Sequence, residues 1–233
     1  MDSLTDATLD ALTLLFTGDS ELWEIIAISF RVSTTAILLA CPVGLAIAFL
    51  LTFSNFPGRR LLISVFNTLL AFPAVVVGLI VYLLLSNQGP LGDWKLLFTQ
   101  SAMIIAQFLL CLPILIAMGH AAFQAAERRA WETARTLGIS VIRSFFLIVN
   151  EVKFGLLAAV LAGYGRIIAE VGASMMVGGN ILHYTRNIPT AIALETSKGN
   201  FSQGIALGLV LIVLAFALNV LLQYVQGRGR LSI

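Results

Sequence analysis

Arg166 and Glu170 are two ionisable residues, one helical turn apart, inside an otherwise apolar stretch. At that spacing the side chains share a helix face and can form an ion pair. A charge at the centre of a membrane helix costs roughly 2.5 to 3.5 kcal/mol on insertion scales, so the two must face a bundle interior or water and pair with each other. The pair reads either as a lock on its helix or as part of a gate or pore contact, and neither role is catalytic. Just downstream, Gly172-Ala-Ser-Met-Met-Val-Gly178-Gly179-Asn180 combines small residues with a glycine pair. Small residues let helices approach closely, and Gly178-Gly179 can end a helix and turn the chain. That suits a pore constriction or a plain helix end. Pro42, Pro73 and Pro113 also lie within apolar runs. Each removes a backbone hydrogen bond and kinks its helix, and the freed carbonyls then need neighbours or the water of an internal path.

The one strongly charged stretch runs from Gln124 to Lys153. Up to Leu137 it has the pattern of a short amphipathic helix, with Ala130, Ala134 and Leu137 on one stripe and Glu127, Arg128, Glu132 and Arg135 around the rest. Gly138 supplies a left-handed stop and Ser140 a cap for the next helix. The spacing predicts a helix-turn-helix at a membrane surface, offered to a partner. The chain has no glycine-rich phosphate loop ending in Gly-Lys-Ser/Thr, so the energy for any ATP-driven work must come from another subunit. Cys41 and Cys111 lie in apolar runs without a second ligand at metal spacing, so no metal site is expected. His120 and His183 read as hydrogen-bonding residues rather than ligands.

These residues must be positioned by spanning helices. The 233 residues are 59% hydrophobic and 11% charged, with a mean hydropathy of +0.97. That composition excludes an ordinary soluble domain, and the absence of a basic stripe with interleaved aromatics excludes a nucleic-acid binder. Runs of about 20 apolar residues predict five spans: about Ile25 to Phe53, Leu61 to Leu85 (with Pro73 and Gly78 inside), Leu97 to Gly119, Phe154 to Met176, and Ile205 to Leu222. Residues 1–24 are acidic and read as an extracytoplasmic leader without a cleavable signal. Arg59, Arg60, Arg128, Arg129, Arg135, Arg143, Arg228 and Arg230 fall on one side, against Lys95, Arg186 and Lys198 on the other. The positive-inside rule therefore places the amino terminus outside, and the charged loop and carboxyl terminus in the cytoplasm. Residues 187–200 are expected to be a polar external stretch broken by an apolar turn, Ala191 to Leu194. No internal repeat is visible, so one chain supplies half a pathway, and a symmetric homodimer is expected.

Glu132, Ala134 and Gly138 stand at the spacing of the E-A-A-x-x-x-G loop of ABC importer permeases, with Thr133 in place of the second alanine. Phe72-Pro73-Ala-Val-Val-Val-Gly78 and the segment Arg166 to Asn180 resemble the molybdate and tungstate branch. Tyr184-Thr185-Arg186 and the run Thr190 to Gly199 resemble the tungstate permeases. Together the matches cover about two thirds of the chain. Where the family carries Leu-Pro or similar after the loop glycine, this chain has Asn150-Glu151, which bears on the angle at which the next helix begins. The resemblance implies an all-α integral membrane protein with the type I ABC importer permease fold. It would have about five transmembrane helices, a single permease domain over 1–233, and a cytoplasmic coupling helix (within 124–143) between the third and fourth. It further implies import of an oxyanion, tungstate first and molybdate or sulfate as alternatives, across a prokaryotic cytoplasmic membrane. The partners implied are an ATPase subunit that carries ATP-Mg, an extracytoplasmic binding protein, a second permease copy and membrane lipid; this chain itself would bind no cofactor. Glu132, Ala134 and Gly138, flanked by Arg128, Arg129 and Arg135, would couple to the ATPase. Pro73, Gly78, Arg166, Glu170, Gly172, Gly178, Gly179 and Asn180 would form the pore or gate. The alternative from a different class is a membrane scaffold whose charged loop holds another cytosolic partner.

Overall fold

The fold is that of a computed structural model, which describes residues 13, 17–126, 131 and 136–230, without the side chains of 222 and 225–230. Among the described residues it is helical throughout, with no strand. The first helix, α1 (Ser20–Phe53), is opened by Asp19, whose carboxylate accepts from the Leu22 N–H at 2.9 Å. At 1.5 Å per residue its 34 residues are longer than the roughly 30 Å of a bilayer core. At its far end the Arg59 guanidinium donates to the carbonyls of Leu51 and Thr52, groups the helix itself leaves unpaired.

The second expected span is not one helix. It is two, α2 (Arg59–Leu69) and α3 (Ala74–Leu85), bent by 102°. Pro73 is therefore not an interior kink but the residue that caps α3, its carbonyl accepting from the Val76 and Val77 N–H groups. A proline disfavours helical geometry in the residue before it and offers no N–H to the preceding turn, so the chain breaks there rather than bending. A 3₁₀ turn, Gly92–Trp94, leads into α4 (Gln100–Gln124), capped by the Thr99 hydroxyl. Pro42 and Pro113 do lie inside their helices, as expected.

Beyond the charged stretch, α5 (Val141–Glu151) starts at Ser140, whose hydroxyl accepts from the Arg143 N–H. It meets α6 (Lys153–Ile168) at an angle of 80°. Asn150-Glu151 thus sits at a sharp corner rather than at the head of a straight span. The fourth expected span, Phe154 to Met176, is likewise broken: α6 ends at Ile168, and a separate short helix, α7 (Gly172–Gly178), follows. Residues 188–198 form a helix whose first turn is buried, while Thr196, Ser197 and Asn200 are exposed as a polar stretch would be. In α8 (Ile188–Lys198), Asn187 and Thr190 make a reciprocal capping box, and the Ile188 N–H donates to Ser29 Oγ of α1 at 2.6 Å. Ile188 and Ala191 pack among Leu22, Ile25, Ile26, Ala206 and Leu207. Helix α9 (Phe201–Arg230) closes the chain.

Among the described residues three helices are long and apolar enough to span a membrane, and each bent pair can count as one more, giving up to five. Helices α1 and α4 run side by side in the same direction, since Ala48 faces Gly119 and Phe49 stacks edge-on against Phe123 at 5.5 Å. Helix α6 runs against them, with Gly163 on Cys111 and Gly155 on Ala122. In lipid no hydrophobic force drives helices together, so such small-residue contacts carry the association. At the end of α1, the rings of Phe49, Phe53, Phe123, Trp131 and Phe145 stack against one another. That cluster fastens the charged stretch, through Trp131, to the ends of α1, α4 and α5. His120, at the same end, meets Thr52 Oγ1 at 2.7 Å. Thr52 Oγ1 also lies 2.8 Å from the Ala48 carbonyl, so the His120–Thr52 contact is a structural hydrogen bond joining α4 to α1.

Candidate functional site

The residues from Pro73 to Gly78 and from Arg166 to Asn180 come together as one wall of the bundle. Helix α3 and the half-helix α7 lie parallel and in close contact. A Cβ placed on Gly78 would stand 2.7 Å from Ala173 Cα, and one on Gly172 would stand 2.6 Å from Val75 Cγ2. The first obstacle is backbone, which cannot turn aside, so only glycine fits at 78. The sequence identified both glycines; it held no sign of Ala173 and Val75 as their partners, because contact between segments a hundred residues apart leaves no local pattern.

Arg166 and Glu170 are paired as their spacing predicts, Nη1 to Oε2 at 3.0 Å. The carboxylate also accepts from the Ala173 N–H at 3.0 Å through Oε1. Glu170 is 5% exposed, while the Arg166 side chain is 46% exposed. Glu170 therefore caps the start of α7 and ties it to the last turn of α6, stapling the break between the two helices. We expect Glu170→Ala to destabilise the detergent-solubilised protein by about 1 to 3 kcal/mol, because it strands the α7 N-terminus without a cap and Arg166 without its partner. Thermal unfolding measures this, and an unchanged Tm would show that the break holds without the staple.

At the other end of α7, Gly178 packs on Met103 and Gly179 adopts the left-handed conformation, φ 70°, beneath the ring of Phe98. The helix ends at the glycine pair, as the sequence predicts. Asn180 follows, also left-handed at φ 52°, its Nδ2 donating to the Thr190 carbonyl at 3.5 Å. Sequence reasoning missed the ties at this end: His183 Nδ1 meets Glu24 Oε2 at 2.5 Å, and Arg186 meets Glu21 Oε1 at 3.4 Å. Both join the loop after α7 to the first turns of α1.

Gly138 has the left-handed geometry expected of it, φ 76°, with none of the described residues within 4 Å of its Cβ position. Glu132, Ala134, Arg128, Arg129 and Arg135 lie outside the described residues. Among the described residues no group of His, Cys, Asp or Glu could hold a metal ion. Cys41 and Cys111 are free thiols.

The chain is a helical bundle with two sharply bent helix pairs and a short helix, α7, packed closely on α3. A chain of the methionine ABC transporter in an inward-facing conformation matches it with a TM-score of 0.66, over 92% of this chain and 97% of that one, at 14% identity. The fold is the type I ABC importer permease fold. The tungstate uptake permeases of Campylobacter jejuni (42% identical, covering 94% of this chain and 92% of that one) and Peptoclostridium acidaminophilum (38%, covering 97% and 99%) are similar over nearly their whole length. The molybdenum transport permease of Escherichia coli K12 is 30% identical, covering 83% of this chain and 88% of its own. No family model matches the chain. The chain belongs to the tungstate uptake permease family, in the tungstate and molybdate branch of ABC importer permeases.

Proposed function

We propose that this chain imports tungstate as one half of a homodimeric permease, driven by a separate ATPase and fed by an extracytoplasmic binding protein. The observation that carries the reading is the α3–α7 wall. Its inner side is sealed by the Gly78 and Gly172 contacts, while Val75, Leu79, Val171 and Met175 leave an exposed apolar face. A second copy related by a two-fold axis would meet that face, and the pathway would run between the two walls. On this reading Pro73, Gly78, Arg166, Glu170, Gly172, Gly178, Gly179 and Asn180 shape the gate by setting where α3 and α7 begin and end, and do not act as fixed ligands for the oxyanion. Glu132, Ala134 and Gly138, with Arg128, Arg129 and Arg135, seat the loop on the ATPase. Closure of the ATPase dimer around ATP-Mg pushes the loops together. The aromatic cluster at Trp131 passes that motion to α1, α4 and α5, and the wall rocks from inward to outward access. The chain sits in a prokaryotic cytoplasmic membrane, its amino terminus outside by the distribution of arginine and lysine.

The dimer is tested by cysteine cross-linking in native membranes. With Cys41→Ala and Cys111→Ala as background, Leu79→Cys should give a covalent dimer with a short bis-maleimide, and Phe216→Cys on α9 should not. The reverse pattern would move the interface to α9 and overturn this arrangement.

A further inference from the structure

The contact between α4 and α7 holds two buried polar atoms with no partner. Gln107 and Ser174 are each 1% exposed. Neither Gln107 Oε1 nor Ser174 Oγ has a hydrogen-bond partner among the described residues. The register places them opposite each other. Phe98, at the head of α4, lies against Gly179 at the end of α7, so the two helices run in opposite directions. Gly178 packs on Met103. One turn back along α7 from Gly178 is Ser174, and one turn forward along α4 from Met103 is Gln107. The layers on either side are apolar: Met103, Ala106, Ala173 and Val177 in one direction, Cys111, Leu115 and Ile167 in the other.

A buried hydroxyl and a buried amide that face each other unpaired are unfavourable as they stand and favourable once joined. A serine hydroxyl can donate and a glutamine carbonyl can accept, so the two can pair in any arrangement of the helices that brings them within reach. The half-helix that carries Ser174 is built to shift. It is seven residues long, bounded by the break at Ala169–Val171 and by left-handed Gly179, and it packs on α3 through Gly172 and on Met103 of α4 through Gly178. We propose that Gln107 and Ser174 form a conformational latch: Ser174 Oγ donates to Gln107 Oε1 in one state of the transport cycle, and the bond is open in the state seen here. The latch rests on the alternating-access reading above. It adds to that reading a named pair that biases the two states, since whichever state makes the bond gains what the other forgoes.

The test uses the full complex of permease and ATPase, with Gln107→Cys and Ser174→Cys in a Cys41→Ala, Cys111→Ala background. Disulfide yield under mild oxidation should differ several-fold between the nucleotide-free and vanadate-trapped complexes. Equal yields would overturn the latch. A second measurement does not depend on the cysteines. Ser174→Ala and Gln107→Leu should each change the basal ATPase rate in the same direction, and the double variant no further than either alone. Additive effects, or coupling of Gln107 to the buried Ser33 of α1 in place of Ser174, would also overturn it. Oxyanion-stimulated ATPase of the unmodified complex, read in the same preparation, tests the transport reading separately.

Discussion

Gly78→Val is expected to remove import and to lower the Tm of the solubilised protein. A Cβ at this position stands 2.7 Å from Ala173 Cα and 3.2 Å from Ala173 Cβ, with Met176 Sδ at 3.3 Å. Neither backbone nor alanine can rotate out of the way, so α3 and α7 must separate, and overpacking of this kind costs about 1 to 3 kcal/mol. The functional loss should exceed the stability loss, because the separation displaces the face of Val75, Leu79 and Met175 that would meet the second copy. Thermal unfolding and oxyanion-stimulated ATP hydrolysis measure the two effects. Wild-type values for both would mean that the working protein does not hold α3 against α7 in this way. Gly172→Ala is a milder companion, since its obstacle is the movable Val75 side chain.

Gly138→Val should leave the protein folded in the membrane and abolish coupling. No described residue lies within 4 Å of the Gly138 Cβ position, so the substitution meets no clash among the described residues. The difficulty is the backbone: φ is 76°, a region that β-branched residues scarcely enter. The turn must reopen, which redirects the charged loop relative to α5. The Tm should move little, because α1, α4 and α6 pack without reference to this turn, while stimulated ATP hydrolysis should fall at least tenfold, equivalent to about 1.4 kcal/mol of lost coupling. Retained stimulation in this variant would show that the turn does not seat the ATPase.

Where apolar residues run without a break, the sequence was a good guide: α1, α4 and α9 fall close to the expected spans, and the glycine stops at 138 and 179 are where they were expected. Local chemistry determines such features, and local chemistry is visible in a chain. Breaks inside a hydrophobic run were not legible. The stretch from Leu61 to Leu85 has the length and apolarity of one helix, and only its surroundings decide that Pro73 starts a new helix at 102° instead of kinking the old one. The same holds at Asn150-Glu151 and at Ala169–Val171. Residues 187–200 misled in their first half: Asn187 and Thr190 read as part of a polar external stretch, yet they satisfy each other in a buried capping box, while Thr196, Ser197 and Asn200 are exposed. In the wall, the chemistry of Arg166 and Glu170 followed from their spacing. The second task of Glu170, capping α7, needed the break to be seen first.

The most direct measurement is ATP hydrolysis by the complex of this permease with its ATPase and binding protein in liposomes, titrated with tungstate, molybdate and sulfate. Stimulation by tungstate at the lowest concentration is the expected result. Stimulation by sulfate or molybdate at lower concentration would contradict the substrate, and no stimulation by any of the three would contradict oxyanion import by this chain.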